Sequence, residues 1–390
     1  MKKIKVLFIP ETYPSGLAGT SVKTRNTIEY LLSEGHEVDV ACIHFSTLVK
    51  KELVHKNLRI FSVYKEGLRK IRIGLIKRLF ELVFSIKPVR INRMFDKKLG
   101  YLIETLEYSN DYDYVFFDGF STLQYATIKK DYYIYIDDED ITDLIRNRMN
   151  ETSSLVKKTF LFTEYLRCLL FEKKFLQRMV QIWAICPNSL KRLKTLSSAK
   201  SYLMPTLVPV AKNVFDKKSQ HIVFTGTLSW SENNIGLKWF IKNCWDNIHK
   251  QLPNTKLYIV GQQGDSSWKE LCSKYKNIEL LGYVKDLADI YKKSAVAISP
   301  IFINVGIKIK VLTYLSYGLP VISIKESTWG MDSRAGILCA TKENFSERVV
   351  KVLKHSILRE KMSAQAQKNM NKNHSKLSLK NFFIKTGVFK

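Results

Sequence analysis

Two lysines, Lys308 and Lys310, stand in or just before a stretch whose apolar face carries Val311, Leu312 and Leu315. Ser299-Pro300 and Gly306 precede it, so a helix should begin at these lysines. A helix start presents unpaired N–H groups and the positive end of a dipole, and two ammonium groups there could cradle a phosphate-like anion. Lys310 is the more central of the two; Lys308 also fits a solvated helix face. Acids are placed differently. Asp118 follows the run Tyr114 to Phe117, and Asp138 lies in Asp137-Asp-Glu-Asp140 after Tyr132 to Ile136. Acids at strand ends can orient hydroxyl groups or assist removal of a proton, and these two are the catalytic candidates. Their alternative role is to cap the helices that follow. Gly16 and Gly19, after the first apolar run, let backbone approach a ligand closely. No metal is expected. The cysteines are scattered without a CxxC pair, and Asp111 and Asp113 form an Asp-x-Asp that precedes its strand instead of following it.

These residues need elements to position them. Short β-branched or aromatic runs alternate with helical patterns along the whole chain, from Ile4 to Ile9 up to Ile337 to Ala340. Such alternation predicts parallel sheets covered on both faces, and 390 residues suffice for two such cores. The stretch PTLVPVAKNVFDKKSQ, with two prolines and no period, reads as the break between them. The expected division is a domain at 1–205, a linker at 206–218, a second domain at 219–375 and a tail at 376–390. In open parallel sheets ligands sit outside the carboxyl ends of the strands, where all the candidates above fall.

The second half carries an ordered set of motifs: Phe224-Thr-Gly-Thr-Leu-Ser-Trp230, Asn233-Asn-Ile-Gly236, Leu257-Tyr-Ile-Val-Gly261, Leu281-Gly-Tyr-Val-Lys-Asp286, Gly306-Ile-Lys-Ile-Lys310-Val-Leu and Tyr317-Gly-Leu-Pro-Val-Ile322. With Pro10, Arg25 and Glu34-Gly-His-Glu-Val38, the set resembles the family-4 glycosyltransferases of the GT-B fold, in the bacterial cell-surface polysaccharide branch. The resemblance covers nearly the whole chain. It implies two doubly wound Rossmann-like domains facing a cleft, the acceptor on the first and a nucleoside-diphosphate sugar on the second. It places the donor among Gly16, Gly19, Gly226, Thr227, Asn233, Gly261, Tyr283, Val305, Gly306, Ile307, Lys308, Lys310 and Thr313. The family usually carries two glutamates eight positions apart where this chain has Val305 and Thr313. A hydroxyl at 313 can still hydrogen-bond a ribose, more weakly than a carboxylate. Breaking a sugar–diphosphate bond pushes charge onto phosphate, which the lysines and N–H dipoles would meet without a metal. No cofactor is expected beyond the sugar nucleotide as co-substrate.

The net charge of +27 is compatible with nucleic acid, an anionic membrane surface or phosphorylated substrates. Nucleic acid is disfavoured, because no helix-turn-helix, RNA-binding or zinc pattern appears. Between Tyr64 and Lys98, eleven Lys or Arg and three acids interleave with Leu, Ile, Val and Phe, the composition of a segment lying in an anionic bilayer surface. The stretch Lys157 to Arg178 repeats the mixture and reads as a core-packed helix. The N-terminal apolar run is too short for a signal peptide, and no run of about 18 apolar residues could span a bilayer. The expectation is a cytoplasmic enzyme, peripheral on the inner membrane face. It would be a retaining glycosyltransferase moving a sugar from a nucleoside-diphosphate sugar to a growing, lipid-linked cell-surface glycan. The alternatives are a non-catalytic nucleotide-sugar- or glycan-binding partner subunit and a GT-B-like sugar-nucleotide epimerase.

Overall fold

The computed structural model describes all residues except 1, 16–18, 46–52, 66–84, 138–139, 262–265, 303–305, 329, 333 and 390. The chain divides into two units, Met1–Pro205 with Lys380–Lys390, and Thr206–Leu379.

The first unit is a seven-stranded parallel sheet in the order β3-β2-β1-β4-β5-β6-β7. Its strands are β1 (Lys5–Pro10), β2 (Glu37–His44), β3 (Leu58–Tyr64), β4 (Tyr114–Asp118), β5 (Tyr133–Asp137), β6 (Gln181–Ala184) and β7 (Lys200–Leu203). Its described helices are α1 (Gly19–Ser33), α2 (Val89–Met94), α3 (Lys97–Ser109), α4 (Ile141–Glu151), α5 (Leu155–Leu176) and α6 (Pro187–Leu196). The central strands are buried from end to end because both faces are covered, which is why they read as unbroken apolar runs. β3 and β7, at the two edges, escape that reading. Each is half exposed and interrupts its apolar residues with Arg59, Lys200 or Ser201.

The second unit is a six-stranded parallel sheet in the order β10-β9-β8-β11-β12-β13. Its strands are β8 (His221–Thr225), β9 (Leu257–Val260), β10 (Ile278–Gly282), β11 (Ser294–Ser299), β12 (Val321–Ile324) and β13 (Ile337–Ala340). Around it lie α7 (Ser231–Gln251), α8 (Ser267–Ser273), α9 (Ala288–Lys292), α10 (Ile309–Ser316), α11 (Phe345–Lys354) and α12 (Ser356–Asn373). Both sheets reverse their winding beside the first strand of the unit, at β1/β4 and at β8/β11. A doubly wound sheet opens a crevice at that point.

Two boundaries differ from the sequence reading. Residues 206–218 belong to the second unit: Val208 is buried in its core and its N–H donates to His374 O at 3.2 Å. Val214 N–H likewise donates to Tyr317 O at 3.1 Å. The two valines explain why this is no free linker. Residues 376–390 are not a tail either. Helix α13 (Lys376–Lys385) leads into the first unit, where Phe382, Phe383, Val388 and Phe389 are buried. Phe383 packs 5.5 Å from the Trp183 ring and 6.0 Å from Tyr30, covering one face of the sheet. No helix among the described residues is long and apolar enough to cross a membrane.

Candidate active site

In the second unit the chain leaves β8 at Gly226, whose N–H donates to Val260 O at 2.9 Å. Its φ of +155° is open to glycine, and a Cβ there would lie 2.8 Å from Asn233 Nδ2 and 3.0 Å from Lys310 Nζ. Gly261, at the end of β9, is equally constrained: a Cβ would meet Gly226 O at 2.1 Å. The turn is held from the front of α7, where Asn233 donates to Thr227 O at 2.9 Å and Asn234 to Leu228 O at 3.2 Å. Gly236 lets α7 lie directly on the loop after β11, since a Cβ would fall 1.8 Å from Pro300 O.

Lys310 reaches into this turn from the first turn of α10. Its ammonium donates to Asn233 Oδ1 at 2.6 Å and lies 4.2 Å from the centroid of the Phe224 ring. Burial first, and the Lys308 charge second, pull it down to about 7 from the ordinary lysine value. Some of the side chain still meets solvent, while the ammonium is packed among an amide, a ring and backbone. No carboxylate among the described residues offsets its charge. Lys308 is the residue at which α10 begins. The seat of α10 is fixed by Tyr314, whose buried hydroxyl accepts from Thr225 N–H at 2.7 Å and from Thr225 Oγ1 at 2.9 Å.

Gly226, Thr227, Asn233, Gly261 and Lys310 therefore converge at the β8/β11 switch. Gly306 and Ile307 lead into α10, Gly306 with φ +60° and Ile307 packed on the core. Thr313 lies one turn further on, its hydroxyl donating to Ile309 O at 2.9 Å within the helix. Tyr283 is exposed, just past β10. Gly16, Val305 and Asp138 lie outside the described residues. Gly19 opens α1 in the first unit.

In the first unit Asp118 ends β4 beside Pro10 of β1, against a small polar cavity lined by Glu11, Thr20, Ser21 and Thr24. It is not an open strand-end acid. It is buried, ion-paired with the buried Lys23 ammonium, and accepts from Thr24 Oγ1 at 2.5 Å. The pair ties α1 to β4. Glu11 is similarly engaged, accepting Ser121 N–H at 2.7 Å and pairing with Arg90. His36, in the turn before β2, is buried beside Phe389 and structural.

Sequence reasoning missed three things here. Lys23 sits on α1 where it reads as a solvated position. Tyr314 reads as one more apolar residue of α10. The third is a buried cluster in which Arg192 pairs with Glu172, Asp143 at 3.0 Å and Asp137 at 3.7 Å. Burial pushes Glu172 up to about 7 and raises Asp137 as well, against the pull of Arg192. Among the described residues no group of His, Cys, Asp and Glu could hold a metal ion.

Two parallel doubly wound sheets, with a glycine turn and a helix-borne lysine meeting at the second switch point, have the architecture of the GT-B fold. Residues 219–355, within the second unit, match the model of a family described as glycosyl transferases group 1. Over 351 residues, 86% of each chain, the protein is 22% identical to an uncharacterized 44.6 kDa protein in the cps region of Klebsiella pneumoniae. Among solved structures it is similar to WaaG, a glycosyltransferase involved in lipopolysaccharide biosynthesis. The TM-score is 0.66 at 14% identity, covering 98% of this chain and 100% of that one. It is also similar to Anabaena Alr3699/HepE in complex with UDP and glucose, with a TM-score of 0.64 at 11% identity and 99% of both chains covered.

Proposed function

We propose that this enzyme is a retaining glycosyltransferase that moves a sugar from a nucleoside-diphosphate sugar to a growing, lipid-linked cell-surface glycan, without a metal ion. The observation that carries the donor half is Lys310, a positive charge held by a neutral amide at a sheet switch point, with no acid among the described residues to offset it. A diphosphate would supply the missing counter-charge. In the reaction the bond from the sugar's anomeric carbon to the diphosphate oxygen breaks, and its electron pair goes to the diphosphate. The acceptor hydroxyl forms the new bond on the same face and gives its proton to the departing phosphate oxygen. Lys310, Lys308 and the N–H groups opening α10 would stabilise the charge as it develops. The engagement of Asp118 by Lys23 and Thr24 favours this assignment of the proton, because that acid already has two partners.

The relative in a cps region and the likeness to a lipopolysaccharide enzyme support a polysaccharide acceptor, and the HepE complex supports UDP as the first nucleotide to try. The basic segment 64–98, most of it outside the described residues, supports work at an anionic membrane surface from the cytoplasmic side. A thermal-shift screen of UDP-, GDP- and other nucleotide sugars finds the donor, since a ligand of the native state raises its melting temperature. Release of nucleotide is then measured with and without a glycan acceptor. Release that requires acceptor supports transfer. Binding without release under any acceptor would mean a non-catalytic binding subunit, and interconversion of the sugar without release would mean an epimerase.

A further inference from the structure

The first motif of the second unit ends on Trp230, and the Lys310 turn leaves its indole outside. Tryptophan is large and apolar, and on average it is deeply buried. Trp183, Trp245 and Trp268 follow that rule and are buried in the cores of their units. Trp230 does not: it is 58% exposed, in the loop after the carboxyl end of β8. Its backbone is nonetheless pinned on both sides. The N–H of Trp230 donates to Thr227 O at 3.2 Å, and its carbonyl accepts from Asn234 N–H at 2.9 Å. The same Thr227 carbonyl accepts from Asn233 Nδ2, and Asn234 Nδ2 holds Leu228 O. The exposed ring is therefore carried by a rigid turn. Asn233 stands between the two chemistries of that turn, its Oδ1 taking the Lys310 ammonium and its Nδ2 the carbonyl on the Trp230 side. Lys310 packs against the Phe224 ring beneath the turn, whereas the indole stands outside it, between the exposed Ser229 and Ser231.

We infer that Trp230 is a platform for a sugar ring of the acceptor glycan, a subsite carried by the second unit beside the donor turn. One face of a pyranose is a patch of C–H groups whose partial positive charge suits the negative face of an aromatic ring. Its hydroxyls point outward from the rim, where the Ser229 and Ser231 hydroxyls can donate to them or accept from them. A ring already fixed on a rigid turn loses little freedom when a glycan lands on it. The size of the patch also selects the ligand. A single indole between two hydroxyls is far smaller than the roughly 800 Å² per partner of a stable protein interface, and it matches one sugar residue. The transferred sugar is bonded directly to the diphosphate, which Lys310 would hold inside the turn, so a ring on the outside serves the other substrate. This inference rests on the proposed transfer to a polysaccharide and names a contact for its acceptor.

The test uses the purified full chain and the source organism's own cell-surface polysaccharide, cut to short oligosaccharides, with nucleotide release as the assay. In Trp230→Ala the KM for oligosaccharide should rise at least about tenfold, the change that about 1.4 kcal/mol of lost contact produces, while kcat and the KM for nucleotide sugar stay within about twofold of wild type. Trp230→Phe should recover most of the loss. Trp230→Leu should recover little, because it restores apolar bulk without an aromatic face. All three variants should keep the wild-type melting temperature and thermal shift with nucleotide sugar, since the exposed indole supports no core. A second readout needs no turnover: oligosaccharide added with the nucleoside diphosphate should reduce acrylamide quenching of tryptophan fluorescence in the wild type and not in Trp230→Phe. An oligosaccharide KM unchanged in Trp230→Ala would overturn the inference. So would a loss of affinity for the nucleoside diphosphate alone, which puts the ring on the base, or a loss confined to the intact nucleotide sugar, which puts it on the transferred sugar. A wild-type dimer in sedimentation that Trp230→Ala disperses would make a second copy the partner and equally overturn it. If no oligosaccharide supports nucleotide release, yet quenching protection is seen and is lost in Trp230→Phe, the subsite stands and the transferase reading falls. Release by Trp230→Ala with the wild-type dependence on oligosaccharide does the reverse.

Discussion

Lys310 makes a sharp test of the donor site, because its charge depends on pH where an ordinary lysine's does not. With a pKa of about 7 in the free enzyme, the ammonium is about nine-tenths charged at pH 6 and about one-tenth charged at pH 8. A bound diphosphate favours the charged form and raises the pKa, so binding takes up a proton once the pH exceeds about 7. The sign follows directly: affinity is fully present below the free-state pKa and falls as pH rises through it. Between pH 6 and pH 8 the association constant should drop about tenfold, equivalent to about 1.4 kcal/mol. Water reaching the half-buried side chain would reduce this, to about twofold were the pKa one unit higher.

The assay is calorimetric titration with an intact nucleotide sugar, such as UDP-glucose if the screen selects it. The sugar ester matters, because a free nucleoside diphosphate has a terminal phosphate that itself titrates near about 6. Repeating the titration at pH 8 in buffers of different ionisation enthalpy counts the protons taken up. Lys310→Met should weaken binding at pH 6 and flatten the profile. Lys310→Arg should also flatten it, because guanidinium stays charged throughout the range. Turnover of a Lys310→Ala variant should fall at least about tenfold, the scale of one lost contact to a developing anion. Lys308→Ala should do less. A wild-type affinity constant from pH 6 to 8, or a slope that persists in Lys310→Met, would refute the reasoning.

Further outcomes follow from other parts of the structure. Turnover should survive chelation by EDTA; loss restored by Mn²⁺ or Mg²⁺ would reverse the metal-free reading. Gly226→Ala should weaken nucleotide-sugar binding and lower the melting temperature, because φ of +155° strains an L side chain and its Cβ meets the ends of Asn233 and Lys310. Gly261→Ala should lower the melting temperature too, since its Cβ meets the backbone of Gly226. Glu172 has a folded-state pKa raised to about 7, so its contribution favours the folded protein at low pH and is lost as pH climbs from the unfolded carboxylate value to about 7. Glu172→Gln should flatten the dependence of melting temperature on pH between 5 and 7; an unchanged slope would assign it to another group, with Asp137 next in line. Phe383→Ala should destabilise the first unit by about 3–5 kcal/mol, the usual cost of emptying a buried aromatic site, measured by denaturant unfolding.

The sheets were legible in the sequence because interior parallel strands must be apolar on both faces, and Val6 to Ile9 or Ala295 to Ile298 leave little else to infer. β3 and β7 were not, because an edge strand has one wet side and reads like any mixed loop. The motif around Gly226 and the one around Lys310 each stand out in sequence, yet the contact that makes them one turn joins Asn233 to a lysine 77 residues away. Periodicity cannot see such pairs. The same blindness hid Lys23 and Arg192, since a lone cation on an amphipathic helix looks solvated until the acid opposite it is located. For α5 the failure was different: a helix with apolar residues all round looks core-packed, and only its neighbours reveal which side they leave bare.

Each unit also places a lysine at the switch point of its sheet, on the helix after the first strand in one and after the fourth in the other, with opposite consequences. In the first, Lys23 on the helix after β1 meets Asp118 at the end of β4, and the two charges cancel out of water's reach. In the second, Lys310 on the helix after β11 meets Asn233 on the helix after β8, and an amide oxygen at 2.6 Å orients the ammonium without neutralising it. A closed ion pair has nothing left to offer an anion, so it fixes a helix to a sheet. A lysine held by an amide keeps a whole charge and an unfavourable burial, and an incoming diphosphate relieves both. The difference is one side-chain atom. Asn233→Asp would make the second switch point electrostatically like the first: the Lys310 ammonium would regain a high pKa, and the turn would lose its attraction for phosphate with its shape unchanged.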